Sequence, residues 1–173
     1  NGTAGNDFTT FAGVCWEEGD NTDIATGPNG LSGDWQADDF GNDTANVFGQ
    51  AARVNIYNFG GDMDWLVSTE IDLGTNPATA LSFTFDVALT AWNSTTTDNF
   101  GSDDQVQFLI TTDSGVTWNN ITTYDAADNL PAIGQFETFS LGAYSGVVRF
   151  AFWSTNGTVA DGNDVEFFVD NFT

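Results

Sequence analysis

The stretch LSFTFDVALTAW, from Leu81 to Trp92, contains the strongest structural signal in this 173-residue chain. Apolar and polar side chains alternate along it, and the apolar set consists of Leu81, Phe83, Phe85, Val87, Leu89 and Ala91. Successive side chains of a β-strand point to opposite faces of the sheet. The alternation therefore predicts a strand with one face buried in a core and a more polar opposite face, which carries Asp86 and Trp92.

A second strand is predicted at 165–173, where the sequence reads VEFFVDNFT. Its β-branched and aromatic residues favour a strand, and Asp170 lies in their midst. A carboxylate in apolar surroundings is costly to desolvate, so it usually has a cationic partner or a metal ion. We therefore expect Asp170 to help bind a cation, Ca²⁺, near the place where the first and last strands meet. The alternative is a carboxylate that caps a turn or faces solvent.

Other strand-like stretches recur along the chain, separated by turns rich in Gly, Asn and Asp. They are 47–59, 65–67, 71–73, 105–112, 116–124, 136–141 and 147–154. Within 47–59, Val54 and Ile56 share one face, and Arg53, Asn55 and Tyr57 share the other. About nine short strands of this kind predict an all-β fold, a two-sheet antiparallel β-sandwich with jelly-roll topology. We expect residues 1–173 to form a single domain that is one segment of a larger secreted or surface protein.

The charge balance excludes several functions. The chain has 25 acidic residues and two basic ones, Arg53 and Arg149, with one Cys and no His or Lys. Nucleic acids and anionic membrane surfaces are poor partners, because their recognition requires basic side chains. Catalytic triads with a His base and Lys-based chemistry are impossible, and zinc or copper sites are disfavoured. Paired carboxylates could in principle hydrolyse a glycoside, but no motif marks such a pair among the 25 acidic residues, so we predict that the domain is not an enzyme.

Arg149 alternates with Val148 and Phe150 in the predicted strand 147–154. This pattern predicts an acidic partner on a neighbouring strand, for which Asp86 is a candidate. On this basis Arg149→Ala is expected to lower the melting temperature more than Arg53→Ala does.

Several short motifs together resemble the jelly-roll domains of the MAM and bacterial cleaved-adhesin type. In order, they are WEEG at 16–19, DWLVS at 64–68, IDL at 71–73, the strand from Leu81, and FVDNF at 168–172. The resemblance implies a jelly roll whose first and last strands lie together about a bound cation. The chain lacks the cysteines of eukaryotic MAM domains, so it is more similar to the bacterial branch, which implies an extracellular or cell-surface location in bacteria.

Carried onto this sequence, the resemblance implies a set of metal ligands. Glu18 or Glu17 would bind the cation together with Asp170, and Asp62 and Asp64 are nearby candidates by sequence order. Calcium suits these groups, because it takes about six to eight oxygen ligands.

Three non-catalytic functions are compatible with these features. The first, which we favour on the sequence, is an extracellular adhesion or interaction module stabilised by calcium, whose partners are other extracellular proteins or glycans. The second is a carbohydrate-binding module of a secreted hydrolase. The third is a structural repeat of a surface filament, which would associate with further copies of itself.

A carbohydrate-binding module needs exposed aromatic rings that can stack on sugars, and Trp35, Trp92 and Trp153 are the candidates. Trp92 falls on the non-core face of its strand, and Trp153 is opposite in parity to Phe150 and Phe152. The alternative is that the long segment 19–45 packs over an outer face and makes these tryptophans part of a second small core.

The sequence TTDSGVTW at 111–118 resembles an Asp-box hairpin. The resemblance implies a structural turn shaped by Asp113 and Gly115, with Trp118 packed beneath it. One copy of this motif does not imply a sialidase propeller.

Overall fold

The computed structural model describes residues 15–20, 22–30, 33–45, 50–57, 61–75, 77 and 80–173. These residues contain eleven strands and one short 3₁₀-helical turn, Phe40–Asn42. The strands are β1 (Trp16–Asp20), β2 (Gln36–Asp39), β3 (Gln50–Tyr57), β4 (Met63–Ser68), β5 (Ile71–Asp72), β6 (Ser82–Ala91), β7 (Gln105–Thr111), β8 (Asn119–Asp125), β9 (Gln135–Ser140), β10 (Val147–Thr155) and β11 (Asp164–Asp170). Within the described ranges, no helix is long and apolar enough to cross a membrane.

The strands form two antiparallel sheets packed as a sandwich, which confirms the predicted fold class. The order is β1-β4-β10-β7-β8 in the first sheet, where β5 also pairs with β10, and β2-β3-β11-β6-β9 in the second. The terminal strand β11 lies between β3 and β6, with Phe167 opposite Val54 on one side and Leu89 on the other. A strand covered on both faces can be apolar at consecutive positions, as FFV is in β11.

Aromatic side chains fill the space between the sheets. Phe85 of β6 makes edge-on contacts with Phe108 and Phe152, at centroid distances of 4.9 and 5.1 Å. Pairs of this kind contribute about 0.5–1.5 kcal/mol beyond the area that they bury. The burial of Phe83, Phe85, Val87 and Leu89 confirms the predicted core face of β6. Leu81, which was predicted on this face, precedes the strand and is 49% exposed, whereas Ala88 and Thr90 on the opposite face are buried.

The outer face of the first sheet is partly covered by a loop at 22–30. Trp65 and Trp153 lie on this face, and Ile24 of the loop packs against their cluster. Both indole nitrogens donate hydrogen bonds to the carbonyl oxygen of Thr22, at 2.9 and 3.1 Å. The expectation that segment 19–45 covers an outer face is therefore confirmed for its described part.

The outer face of the second sheet is partly covered by the turn Phe40–Asn42. Phe40 packs edge-on against Phe168 at a centroid distance of 6.1 Å. Gly41 adopts φ 66°, and a Cβ at this position would collide with the carbonyl oxygen of Ala132. Glycine is required here both by the left-handed backbone and by the close approach of the 131–134 loop.

The hairpin between β7 and β8 has the structure that its motif implies. The Asp113 carboxylate accepts hydrogen bonds from the Thr111 hydroxyl at 2.7 Å and from the Thr117 backbone at 2.9 Å. Trp118 is buried and contacts Trp65 at a centroid distance of 5.4 Å. These contacts support the structural interpretation of the Asp-box resemblance.

The structure corrects the predicted partner of Arg149. Asp86 lies in β6 of the second sheet, whereas Arg149 lies in β10 of the first. Instead, the Arg149 guanidinium donates hydrogen bonds to the Glu17 carboxylate at 3.0 Å and to the Ser68 carbonyl oxygen at 2.7 Å. The sequence pattern located Arg149 on a strand, but it contained no information on which strands share its sheet.

Candidate functional site

Two exposed aromatic residues flank one carboxylate on the outer face of the second sheet. Tyr57 of β3 is directly opposite Asp164 of β11. On the other side, the Trp92 backbone nitrogen donates to the Asp164 carbonyl oxygen at 3.0 Å, which continues the pairing of β11 with β6. Residues opposite each other on adjacent strands project to the same face. Tyr57 is 41% exposed and Trp92 is 50% exposed, so this aromatic row (Tyr57, Asp164 and Trp92) faces solvent.

Hydrogen bonds fix the polar part of the aromatic row. The Asn55 side-chain amide donates to Asp164 Oδ1 at 2.8 Å and to the carbonyl oxygen of Val165 at 3.0 Å. The Asn156 amide donates to the carbonyl oxygen of Tyr57 at 2.6 Å. Asn55 therefore orients the carboxylate, and Asn156 holds the end of β3 that carries the tyrosine.

Towards the middle of the sheet, the same face is closed off. The Asn42 amide donates to Thr90 Oγ1 at 2.9 Å, to the Ser94 carbonyl oxygen at 3.0 Å and to Glu166 Oε2 at 2.6 Å. The Asn93 backbone nitrogen donates to the same Glu166 oxygen at 2.9 Å. These bonds tie the turn and the loop after β6 to the sheet, so the aromatic row lies at one end of a covered surface.

An acidic pocket of about 290 Å³ adjoins Tyr57 at the end of the sandwich. Its wall includes Asp34, Asp62 and Asp64, together with residues 154–156 and the end of β3. The Asp34 backbone nitrogen donates to Asp64 Oδ1 at 3.0 Å. Oxygens of Glu18 and Asp64 both approach Gly33, at 3.3 and 3.5 Å from the position where a Cβ would stand.

Burial and neighbouring negative charges raise the pKa values of the carboxyl groups in this pocket. The pKa of Asp64 is raised to about 7, mainly by burial and secondly by the charge of Asp34. Burial, followed by the charges of Asp62 and Asp20, also raises the pKa of Asp34. A carboxyl group that is both desolvated and surrounded by like charges holds its proton more tightly.

The structure separates the metal ligands that the sequence suggested. Trp16 of β1 and Phe172 do meet, at a centroid distance of 4.5 Å. However, Glu18 pairs with Leu66, whose side chain is in the core, so Glu18 lies on the inner face of the first sheet. Asp170 follows the core residue Val169 and therefore lies on the outer face of the second sheet.

The other suggested metal ligands, together with Asp170, lie in three different environments. Glu17 is paired with Arg149 at the surface, at 3.0 Å. Asp170 is opposite Asp86, and burial, followed by the Asp86 charge, raises its pKa. Asp62 and Asp64 lie together at the pocket. Carboxylates have the right chemistry for calcium, but no three acidic residues in the described part of the chain are grouped to hold a metal ion.

Of the three tryptophans considered as ligand-binding residues, only Trp92 is exposed. Trp35 is 1% exposed and packs in the main core at 6.3 Å from Phe152. Trp153 is 7% exposed and lies beneath the 22–30 loop. Neither buried ring has a face available for a ligand, which agrees with the second-core alternative for Trp153.

Sequence reasoning did not select Tyr57 as a binding residue, although the pattern of β3 placed it correctly. Its side chain was predicted on the face opposite Val54 and Ile56, which are both buried in the core. The missing information was the pairing of β3 with β11 and of β11 with β6. This pairing brings Tyr57 and Trp92 to the two sides of Asp164.

Comparisons with solved structures agree with the sandwich fold. No protein-family model matches the chain, and no curated protein matches it. One similar structure comes from work on the promiscuous specificity of carbohydrate-binding modules of the β-sandwich superfamily. It has a TM-score of 0.51 and 16% identity, over 97% of this chain and 60% of that chain.

Two further structures are similar at lower TM-scores. TmCBM61 in complex with β-1,4-galactotriose gives a TM-score of 0.49 and 8% identity, over 98% of this chain and 94% of that chain. The glycoside hydrolase domain of Endo-D from Streptococcus pneumoniae R6 gives a TM-score of 0.47 and 16% identity, over 91% of this chain and 21% of that chain. At these identities the likenesses show the fold alone. None of the three structures is described as a MAM or cleaved-adhesin domain.

Proposed function

We propose that this domain is a non-catalytic carbohydrate-binding module. The observation that supports this function is the aromatic row, in which Tyr57 and Trp92 flank the carboxylate of Asp164. Binding sites combine apolar and aromatic surface with a few oriented polar groups. Rings of Tyr and Trp can pack on the apolar faces of sugar units, and a carboxylate held by Asn55 can accept hydrogen bonds from sugar hydroxyls.

The fold is compatible with this function but does not carry it. The β-sandwich is also the fold of the carbohydrate-binding modules to which the chain is similar, and one fold can serve many functions. The support for this function therefore comes from the side chains of the second sheet. This function replaces the calcium-stabilised adhesion module as our main proposal, because the exposed aromatic row indicates a class of ligand.

A carbohydrate-binding module of this kind would bind glycans outside the cytoplasm. We therefore keep, as part of the proposal, an extracellular or cell-surface location in bacteria and attachment to a larger secreted protein. Calcium also stays part of the proposal, as an ion that would stabilise the acidic pocket. Asp62 and Asp64, which line the pocket, and Glu18, which approaches Gly33 beside Asp64, are its candidate carboxylate ligands, and because the three are not grouped as a ready metal site, backbone and amide oxygens would have to complete the coordination. Glu17 and Asp170 lie away from the pocket.

Affinity electrophoresis tests the function. Native gels would contain β-1,4-glucan, β-1,4-galactan, β-1,4-mannan or β-1,4-xylan as neutral polysaccharides, and polygalacturonate as an acidic one. We expect at least one neutral polysaccharide to retard the wild-type domain. Retardation should decrease for Trp92→Ala and Tyr57→Ala.

Phe136→Ala is the matched control for these variants. Phe136 is another aromatic residue with a largely exposed side chain (65%), and it pairs with Asp86 at the other end of the second sheet. Its removal should leave retardation unchanged. Migration that is unaffected by every polysaccharide, neutral or acidic, or equal retardation of wild type and the Tyr57→Ala/Trp92→Ala double variant, would contradict the proposed function.

A further inference from the structure

We infer that the bound glycan lies across the strands, over Asp164, with one sugar unit on Trp92 and another on Tyr57, and that it is a neutral chain of at least two units. This inference rests on the proposed function and specifies the class of ligand. It follows from three properties of the aromatic row: its surroundings, its length and its charge.

The surroundings of the aromatic row determine the direction in which the glycan runs. A ligand that followed the strands from the aromatic row would meet the turn Phe40–Asn42, which is bonded to Thr90 and Glu166 on the same face. Across the strands, the described contacts of Asp164 between Trp92 and Tyr57 are the strand pairing and the Asn55 hydrogen bond, so no described residue is bonded over it as Asn42 is over Thr90 and Glu166. Beyond Tyr57 the surface continues into the acidic pocket, whose wall that tyrosine also forms.

The length of the row determines the smallest ligand that can use it. Tyr57 ends β3 and Trp92 directly follows β6, and these are the two strands that flank β11. Two steps across an antiparallel sheet separate their Cα atoms by about 10 Å. A single sugar ring placed on one aromatic side chain therefore leaves the other uncovered. A chain of two or more units can contact both rings and pass over the carboxylate between them.

The charge of the row determines which glycans are excluded. Asp164 lies at its centre, and Asp34 and Asp62 lie beyond Tyr57. The two arginines of the chain are engaged elsewhere: Arg53 with Glu166 and Asp38, and Arg149 with Glu17. No basic side chain is thus placed to neutralise a uronic acid or a sulfate, which the carboxylates would repel. Hydroxyl groups, in contrast, can donate to the Asp164 carboxylate.

Isothermal titration calorimetry on a ladder of chain lengths tests the inference. The probes are the monosaccharide and the oligosaccharides of two to six units from each of the four neutral polysaccharides, with oligogalacturonates of the same lengths. For the retained glycan, we expect a tetrasaccharide to bind at least about ten-fold more tightly than the monosaccharide. Oligogalacturonates should show no measurable binding.

Single and double variants locate the two contacts. Trp92→Ala and Tyr57→Ala should each weaken tetrasaccharide binding about ten-fold or more, because each removes one stacking surface. The double variant should lose more than either single variant, whereas Phe136→Ala should match wild type. Circular dichroism spectra and melting temperatures of all variants would establish that they are folded.

The outcomes separate the inference from the function on which it rests. If no glycan binds, neutral or acidic, both are overturned. A neutral glycan could bind through Trp92 while the monosaccharide binds as tightly as the tetrasaccharide, or while Tyr57→Ala leaves the affinity unchanged. Either result would keep the carbohydrate-binding function and overturn the crossing geometry. Preferential binding of oligogalacturonates would overturn the neutral ligand class while leaving a carbohydrate-binding function.

Discussion

The Arg53 guanidinium donates a hydrogen bond to the carboxylate of Glu166, a side chain with no exposed surface on the outer face of the second sheet. Arg53 also pairs with Asp38 at 2.9 Å and donates to Gln36 at 2.8 Å. Glu166 in turn accepts from the Asn42 amide at 2.6 Å. This buried network connects β2, β3 and β11 with the turn that closes off the aromatic row.

Loss of Arg53 should therefore be the more damaging of the two arginine deletions. Arg53→Ala leaves the Glu166 charge buried without its cation, which typically costs about 3–5 kcal/mol. For a chain of this size, we expect the melting temperature to fall by about 10 °C. Arg149→Ala removes an ion pair with an exposed glutamate, usually worth at most about 1 kcal/mol, and a hydrogen bond to Ser68.

Thermal melts of both variants by circular dichroism decide this order. The sequence alone predicted the opposite, a larger effect at Arg149. A drop for Arg149→Ala that equals or exceeds the drop for Arg53→Ala would contradict the structural account.

The raised pKa of Asp64 predicts a pH dependence of stability. Its pKa is about 7 in the folded state, above the ordinary value of 3.8. The folded state thus favours the protonated carboxyl, so this group stabilises the fold most at low pH, and its contribution is lost as the pH rises from about 4 to about 7. Asp64→Asn should therefore raise the melting temperature at pH 7.5, by about 5 °C, and reduce its dependence on pH.

Differential scanning calorimetry between pH 5 and pH 8 measures this effect. Asp72→Asn is the matched control, because Asp72 is an exposed carboxylate in β5, away from the pocket. If the two variants changed the melting temperature in parallel, the effect would reflect the overall charge and not the burial of Asp64.

Trp153 and Trp92, which lie on the outer faces of different sheets, should differ in their importance for folding. Trp153 is 7% exposed and donates a hydrogen bond to Thr22, so Trp153→Ala should cost about 3–5 kcal/mol and lower the melting temperature by about 10 °C. Trp92 is half exposed, and Trp92→Ala should change the stability by less than about 1 kcal/mol. Urea unfolding followed by circular dichroism measures both, and similar losses would show that Trp92 is a packing residue.

Calcium binding is testable through Glu18 and Asp64, two of its candidate ligands. After treatment with EDTA, millimolar Ca²⁺ is expected to raise the melting temperature more than Mg²⁺ or NaCl of equal ionic strength, because calcium prefers several carboxylate oxygens. Glu18→Gln and Asp64→Asn should reduce this rise, whereas Asp170→Asn, in the second sheet, should preserve it. A rise matched by NaCl would mean that salt only screens the 25 acidic residues.

The alternation of side chains made much of the fold predictable. It identified β6 as a strand and placed Arg53, Asn55 and Tyr57 on the face opposite Val54 and Ile56. Composition identified β11, and the number of short strands indicated the two-sheet class. The candidate site was less predictable. Glu18 and Asp170 belong to strands whose ends do meet, yet their side chains lie on different faces of different sheets.

The sequence by itself determined which way each side chain leaves its strand, because the two-residue period of a β-strand is a local property of the backbone. Only the tertiary structure decided which outward side chains stay exposed. Trp153 and Trp92 both point away from the main core, but the 22–30 loop covers the first and leaves the second in solvent. It also decided that Tyr57 and Trp92 flank Asp164, because the order of strands in a sheet depends on contacts between distant segments, which local periodicity does not specify.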